Sequence, residues 1–153
     1  MTDTEPQVII IGGPNGAGKT TLAPFLLRDT LKLRDYVNAD PIALGLSGFD
    51  PASVALPAGR VMLSRLHSLA EQRRNFAFES TLAARSYAGW IQTLLKEGYT
   101  FQLMFIWLRS PELAVQRVRS RVRSGGHDVA DEVTRRRYAA GLKNFWALYR
   151  PVG

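Results

Sequence analysis

The chain has 153 residues, 46% of them hydrophobic and 22% charged, with 20 lysines and arginines against 13 acids for a formal net charge of +7. That length fits one domain with a core of its own, and the lack of cysteine excludes disulfides, thiolate metal sites and cysteine nucleophiles. No stretch approaches the ~20 apolar residues of a membrane span, and the acidic N-terminal residues do not read as a signal peptide, so a cytoplasmic protein without a membrane partner is expected.

Val8-Ile9-Ile10-Ile11 is short, apolar and β-branched, and glycines follow at once. It reads as a buried parallel strand. Gly13-Pro14-Asn15-Gly16-Ala17-Gly18-Lys19-Thr20-Thr21 comes next and opens a helix predicted to run from Thr20 to Leu31, with Leu22, Phe25, Leu26 and Thr30 on one face. Glycine, four residues, then Gly-Lys-Thr is the P-loop pattern. Its backbone N–H groups cradle phosphate oxygens and the helix adds the positive end of its dipole. Lys19 is expected to reach the terminal phosphates, and the Thr20 hydroxyl to bind magnesium. The expected ligand is ATP with Mg2+.

Tyr36-Val37-Asn38 reads as a second strand, ending at Ala39-Asp40-Pro41. Residues 42–57 hold Gly45, Gly48, Pro51 and Pro57, and read as a mobile loop with short helical pieces. Residues 58–73 are amphipathic, with Val61, Leu63, Leu66, Leu69 and Ala70 at helical spacing. Phe76-Ala77-Phe78 is a third strand, followed by Glu79-Ser80-Thr81. A helix over 87–96 with Gly98 as its C-cap comes next, then an apolar fourth strand over 100–108. Ser110-Pro111 starts a helix to about Arg123, Gly125-Gly126-His127-Asp128 breaks it, and a last helix runs from Asp131 to about Tyr149. Trp90, Trp107 and Trp146 fall in apolar patterns and are assigned to the core.

Strands alternating with helices mean an α/β fold, here a three-layer P-loop NTPase fold with a parallel sheet of four or five strands. Ligands bind at the carboxyl ends of such strands, where the P-loop, Asp40, Glu79 and Arg109 all fall. Asp40 is a general base for an acceptor hydroxyl, a carboxylate behind the magnesium, or a helix cap. Glu79 is a strand-end acid, yet no strand ends in Asp and the paired acids of a mechanical ATPase are missing. That favours a kinase-like site and makes Glu79, with Ser80 and Thr81, a candidate for holding acceptor hydroxyls; the alternative is an acid paired with an arginine.

Between Arg109 and Arg137 there are eight arginines against four acids. Arginine's fork of donors matches phosphate oxygens. Arg117 and Arg121 share one helix face, and Arg119 and Arg123 another. With Gly125-Gly126 between two arginine-bearing helices, residues 117–137 read as an arginine-rich lid.

Four motifs in order resemble the zeta toxin family of P-loop kinases: residues 12–21, Val37-Asn-Ala-Asp-Pro-Ile42, Phe78-Glu-Ser-Thr-Leu82, and Gly125-Gly-His-Asp-Val129 followed by Arg135-Arg-Arg-Tyr138. The similarity, to small stand-alone members, runs from about Val8 to Arg150. It implies one kinase domain over 1–153 that transfers the γ-phosphoryl group of ATP to a hydroxyl, the best-known acceptor being the 3′-hydroxyl of a UDP-N-acetyl amino sugar. By the resemblance, Lys19 and Thr20 hold phosphate and magnesium, Asp40 activates the acceptor, and Glu79 and Thr81 hold it. Arg117 and Arg121 are the lid arginines, and an antitoxin protein is a partner in the family. Relative to the family the chain is short at its C-terminal end. Two rival readings are an ATP-binding regulatory module or weak NTPase without transfer, and, least favoured, a nucleic-acid-binding protein using the arginine helix.

Overall fold

The computed structural model describes residues 4–126 and 128–152; His127, part of the fourth motif, lies outside the described residues. Four strands, β1 (Gln7–Gly12), β2 (Asp35–Val37), β3 (Phe76–Ser80) and β4 (Thr100–Phe105), form one parallel sheet in the order β2-β3-β1-β4. β1 lies between β3 and β4, pairing Ile10 with Phe78 on one side and with Leu103 on the other. Its four aliphatic residues are fully buried, because a strand covered on both faces must be apolar at every position.

Successive side chains on β1 feed two different cores. Val8 and Ile10 join Phe76 and Phe78, and pack on Met62, Leu66 and Ile91. Ile9 and Ile11 join Ala77 on the other face with Ala23, Leu27 and Leu33. The sheet is therefore the middle of three layers. One outer layer holds α3 (Ala55–Glu71) and α4 (Ser86–Lys96); the other holds α1 (Lys19–Ala23).

α4 ends as its sequence suggests. Gly98 takes φ +92°, Tyr99 N–H donates to the Leu94 carbonyl at 3.0 Å and Gly98 N–H to that of Leu95 at 3.1 Å, which is the Schellman closure. α5 (Pro111–Arg123) starts with the Ser110 hydroxyl accepting from Leu113 N–H at 3.1 Å. α6 (Asp131–Asn144) continues in wider turns to Tyr149.

Three expectations need correction. Residues 42–57 are largely helical: α2 spans Ala39–Leu46, a short 3-10 turn covers Pro51–Val54, and α3 begins at Ala55. Asn38 caps α2, and Pro41 falls in its first turn, where a missing N–H costs nothing. The buried face of the helix after the P-loop is Ala23 and Leu27, while Phe25 is 66% exposed. From Pro24 to Thr30 the turns widen, Leu31 N–H reaching back five residues to Leu26, so of the side chains that a 3.6-residue period chooses only Leu26 packs on the core. Finally, β4 stops at Phe105, which leaves Trp107 65% exposed, and Trp146 is 56% exposed. Neither is core; Trp90 does pack against it. Among the described residues no helix is long and apolar enough to cross a membrane.

Candidate active site

The turn between β1 and α1 is shaped by what lies beneath it. Gly16 takes φ +84°, and a Cβ there would stand 2.9 Å from the Ala114 carbonyl oxygen, so this position needs glycine on both counts. The loop is anchored by Gly13 N–H to the Ser80 carbonyl at 3.2 Å and Ala17 N–H to that of Pro14 at 3.1 Å. Lys19 curls back over it, its ammonium donating to the carbonyls of Gly13 at 2.6 Å and Pro14 at 3.0 Å. Burial lowers the Lys19 pKa to about 8, against the opposing pull of the Glu79 and Asp40 carboxylates.

The strand ends converge on this lysine. The Thr20 hydroxyl donates to the Glu79 carboxylate at 3.1 and 3.3 Å. Glu79 also accepts from the Asn38 amide at 2.8 Å, and Asn38 in turn accepts from Asp40 N–H at 3.1 Å. One run of hydrogen bonds thus links P-loop, β3 and α2. Burial raises the Glu79 pKa, opposed by the Lys19 charge and the Thr20 hydrogen bond. The capping of α2 falls to Asn38, which leaves the Asp40 carboxylate available to the cleft. Asn38 is the residue that sequence reasoning passed over; its one signal was an amide at a strand end two residues before an acid.

The arginines divide by helix face. Arg117 donates to the Gly16 carbonyl at 2.6 Å. Arg121 stands on the cleft wall, and its charge acts on both Lys19 and Glu79. Arg119 instead pairs with Asp131, and Arg135 with Glu112 at 3.0 Å, tying α5 to α6. Arg137, which the sequence could not single out from three in a row, reaches the Asn15 side chain at 3.5 Å and lines the cleft. Arg109 is exposed and lies outside the cleft lining, four residues beyond the end of β4.

The P-loop, the strand-end acids and three of these arginines border one cleft of about 580 Å³, within the range of small-ligand sites. Asn15 to Thr21, Asp40, Glu79, Thr81, Arg117 and Arg121 line it together. Among the described residues no cluster of three or more His, Asp or Glu could hold a metal unaided. A hydroxyl beside a carboxylate fits magnesium, which takes few protein oxygens and completes its shell with phosphate and water.

A family model described as an AAA domain matches residues 8–148. An uncharacterized protein of Haemophilus influenzae is 30% identical over 132 residues, 86% of this chain and 92% of its own length. Among solved structures, the Pnkp1/Rnl/Hen1 RNA repair complex holds a chain with a TM-score of 0.69 at 17% identity, matched over 95% of this chain and 47% of that one. The PezAT chromosomal toxin-antitoxin system of Streptococcus pneumoniae gives 0.63 at 23% identity, over 81% and 57%. This chain therefore spans about half the length of those two. Shikimate kinase from Acinetobacter baumannii, in complex with shikimate, gives 0.55 at 21% identity, over 99% and 82%. At such identities the likeness is one of fold: a four-stranded parallel sheet flanked by helices, as in P-loop kinases.

Proposed function

The chain belongs to the AAA-domain family, and from that premise we propose that it is an ATP-dependent kinase transferring the γ-phosphoryl group to a hydroxyl of a small molecule. The observation that carries this reading is the placement of Asp40 and Glu79 on the wall of the cleft that the P-loop opens into. Phosphoryl transfer needs mainly positioning and charge neutralisation, and the cleft offers both.

In this reading the loop N–H groups and the Lys19 ammonium bind the phosphates. Thr20 and Glu79 hold the magnesium that accompanies ATP; when bound, it neutralises charge on the phosphate oxygens. Asn38 fixes Glu79 and, through the start of α2, the carboxylate of Asp40. Asp40 takes the proton from the attacking hydroxyl, and Thr81 lies beside the acceptor. Arg117, Arg121 and Arg137 meet charge on the transferring group, with residues 117–137 acting as the lid. The resemblance to zeta toxins adds a UDP-N-acetyl amino sugar as a candidate acceptor, an antitoxin as a candidate partner and the cytoplasm as the location.

The test is a labelled-ATP transfer screen over small hydroxyl compounds. Label on an acceptor, abolished by Lys19→Ala, is the expected result. Slow release of inorganic phosphate with no acceptor labelled would instead support a nucleotide-dependent regulatory module.

A further inference from the structure

The cleft has two chemically different ends. Its charged side chains, Lys19, Asp40, Glu79, Arg117, Arg121 and Arg137, all tie to the P-loop end by hydrogen bond or by charge. The rest of its wall comes from α2, the 3-10 turn, α3 and the stretch from the end of β3 into α4. There Ala55, Ala58, Gly59, Met62, Ala84 and Tyr87 face the cavity. Arg60 and Arg85 neighbour this wall in sequence but are exposed and outside the lining. Among the described residues this end holds no cation.

Gly59 is the telling residue. It sits inside the 17-residue helix α3, where glycine weakens a helix relative to alanine. Nothing in the fold asks for it: its backbone is ordinary and an added Cβ would meet no atom within 4 Å. Unlike the other helical glycines with that freedom, Gly45 and Gly89, it lines the cleft. Tyr87 also lines the cleft, its ring braced against Phe78 at 5.0 Å, and burial pushes its phenol pKa up, so it stays neutral.

Resting on the kinase reading, we infer that the acceptor is an uncharged hydroxyl compound with a flat apolar face. That face packs on the wall to which Gly59, Met62 and Tyr87 contribute, and the hydroxyl points at Asp40. The γ-phosphoryl group leaves the β-phosphate oxygen of ATP as the acceptor oxygen bonds to phosphorus; the acceptor proton goes to the Asp40 carboxylate and ADP departs. An acceptor carrying a diphosphate would bring two further negative charges past Asp40 to an end with no counter-charge, so the UDP-sugar candidate raised by the zeta toxin resemblance is set aside in favour of a neutral acceptor.

The experiment compares kcat/KM for neutral aryl glycosides and nucleosides with that for UDP-sugars and sugar phosphates, in the natural protein and in Gly59→Leu. Neutral acceptors are expected to exceed the anionic classes at least tenfold. Gly59→Leu is expected to raise the acceptor KM at least tenfold, with the ATP KM within twofold and no loss of thermal stability. Anionic acceptors used as well or better, or an acceptor KM unmoved by Gly59→Leu, overturn this inference and leave the kinase reading standing. No transfer to any class overturns both.

Discussion

The most informative side chain is Lys19, because its charge responds to what occupies the cleft. Free lysine titrates near 10.4, and here burial holds the group at about 8. The unfolded chain therefore binds more protons between those values, and the stability of the nucleotide-free protein should rise with pH from about 8 to about 10.5. Phosphates beside the ammonium act in the opposite direction and restore its charge. ATP binding at about pH 8.5 should accordingly take up a proton, measurable by calorimetry in two buffers of different ionisation heat; no uptake would mean that Lys19 does not meet the phosphates. Glu79 is the strongest opposing influence on that lysine, so Glu79→Gln should move the uptake to lower pH. The P-loop residues, Asp40 and Glu79 were all legible in the sequence because each lies at or within a few residues of the carboxyl end of a strand. Asn38 and Arg137 were not. A capping amide looks like any strand-end polar residue, and choosing among Arg135, Arg136 and Arg137 requires the rotation of a helix.

Element by element, the sequence was read best where a local chemical signal marks a boundary. Ser110-Pro111 and Gly98 name the ends of α5 and α4 without reference to anything distant. It was read worst where period alone was the guide. The widened turns from Pro24 to Thr30 rotate the buried face onto Ala23 and Leu27, and the capped start of α2 turns a Gly- and Pro-rich stretch into helix. α6 shows what period cannot convey. It carries Arg137 to the P-loop, and Asn144 donates to the Leu82 and Ala83 carbonyls at 2.8 and 3.1 Å. Tyr149, in the extension, donates to that of Ala84. One helix thus braces both the phosphate end of the cleft and the segment bearing Thr81. Its close approach depends on Gly141, where a Cβ would stand 2.2 Å from the Thr81 carbonyl oxygen. Gly141→Ala should cost about 1–3 kcal/mol in urea unfolding, since the obstacle is backbone and cannot rotate away. Arg135→Ala, which breaks an exposed pair with Glu112, should cost under ~1 kcal/mol. Equal losses would show that α6 is held by its charges rather than by packing.

At the scale of the whole molecule, strand alternation and short β-branched runs were enough to give a parallel sheet with helices on both faces. The strand order β2-β3-β1-β4 was not written in any one segment, because it arises from which faces bury one another. Placing β1 between β3 and β4 brings the P-loop against the end of β3, and so sets Thr20 beside Glu79. A fold organised around its nucleotide should gain stability from it. ATP·Mg at a hundred times its Kd should add about 2.7 kcal/mol to the unfolding free energy, read as a rise in Tm that Lys19→Ala abolishes. The central question is whether the cleft transfers phosphoryl groups through the carboxylate at the start of α2. The direct measurement is the single-turnover rate of label transfer from ATP in Asp40→Asn beside the unaltered protein. If Asp40 is the base, Asp40→Asn keeps ATP affinity within about twofold and lowers the rate by ~10²–10⁴-fold, the usual worth of a general base. Transfer at the full rate in Asp40→Asn would contradict it.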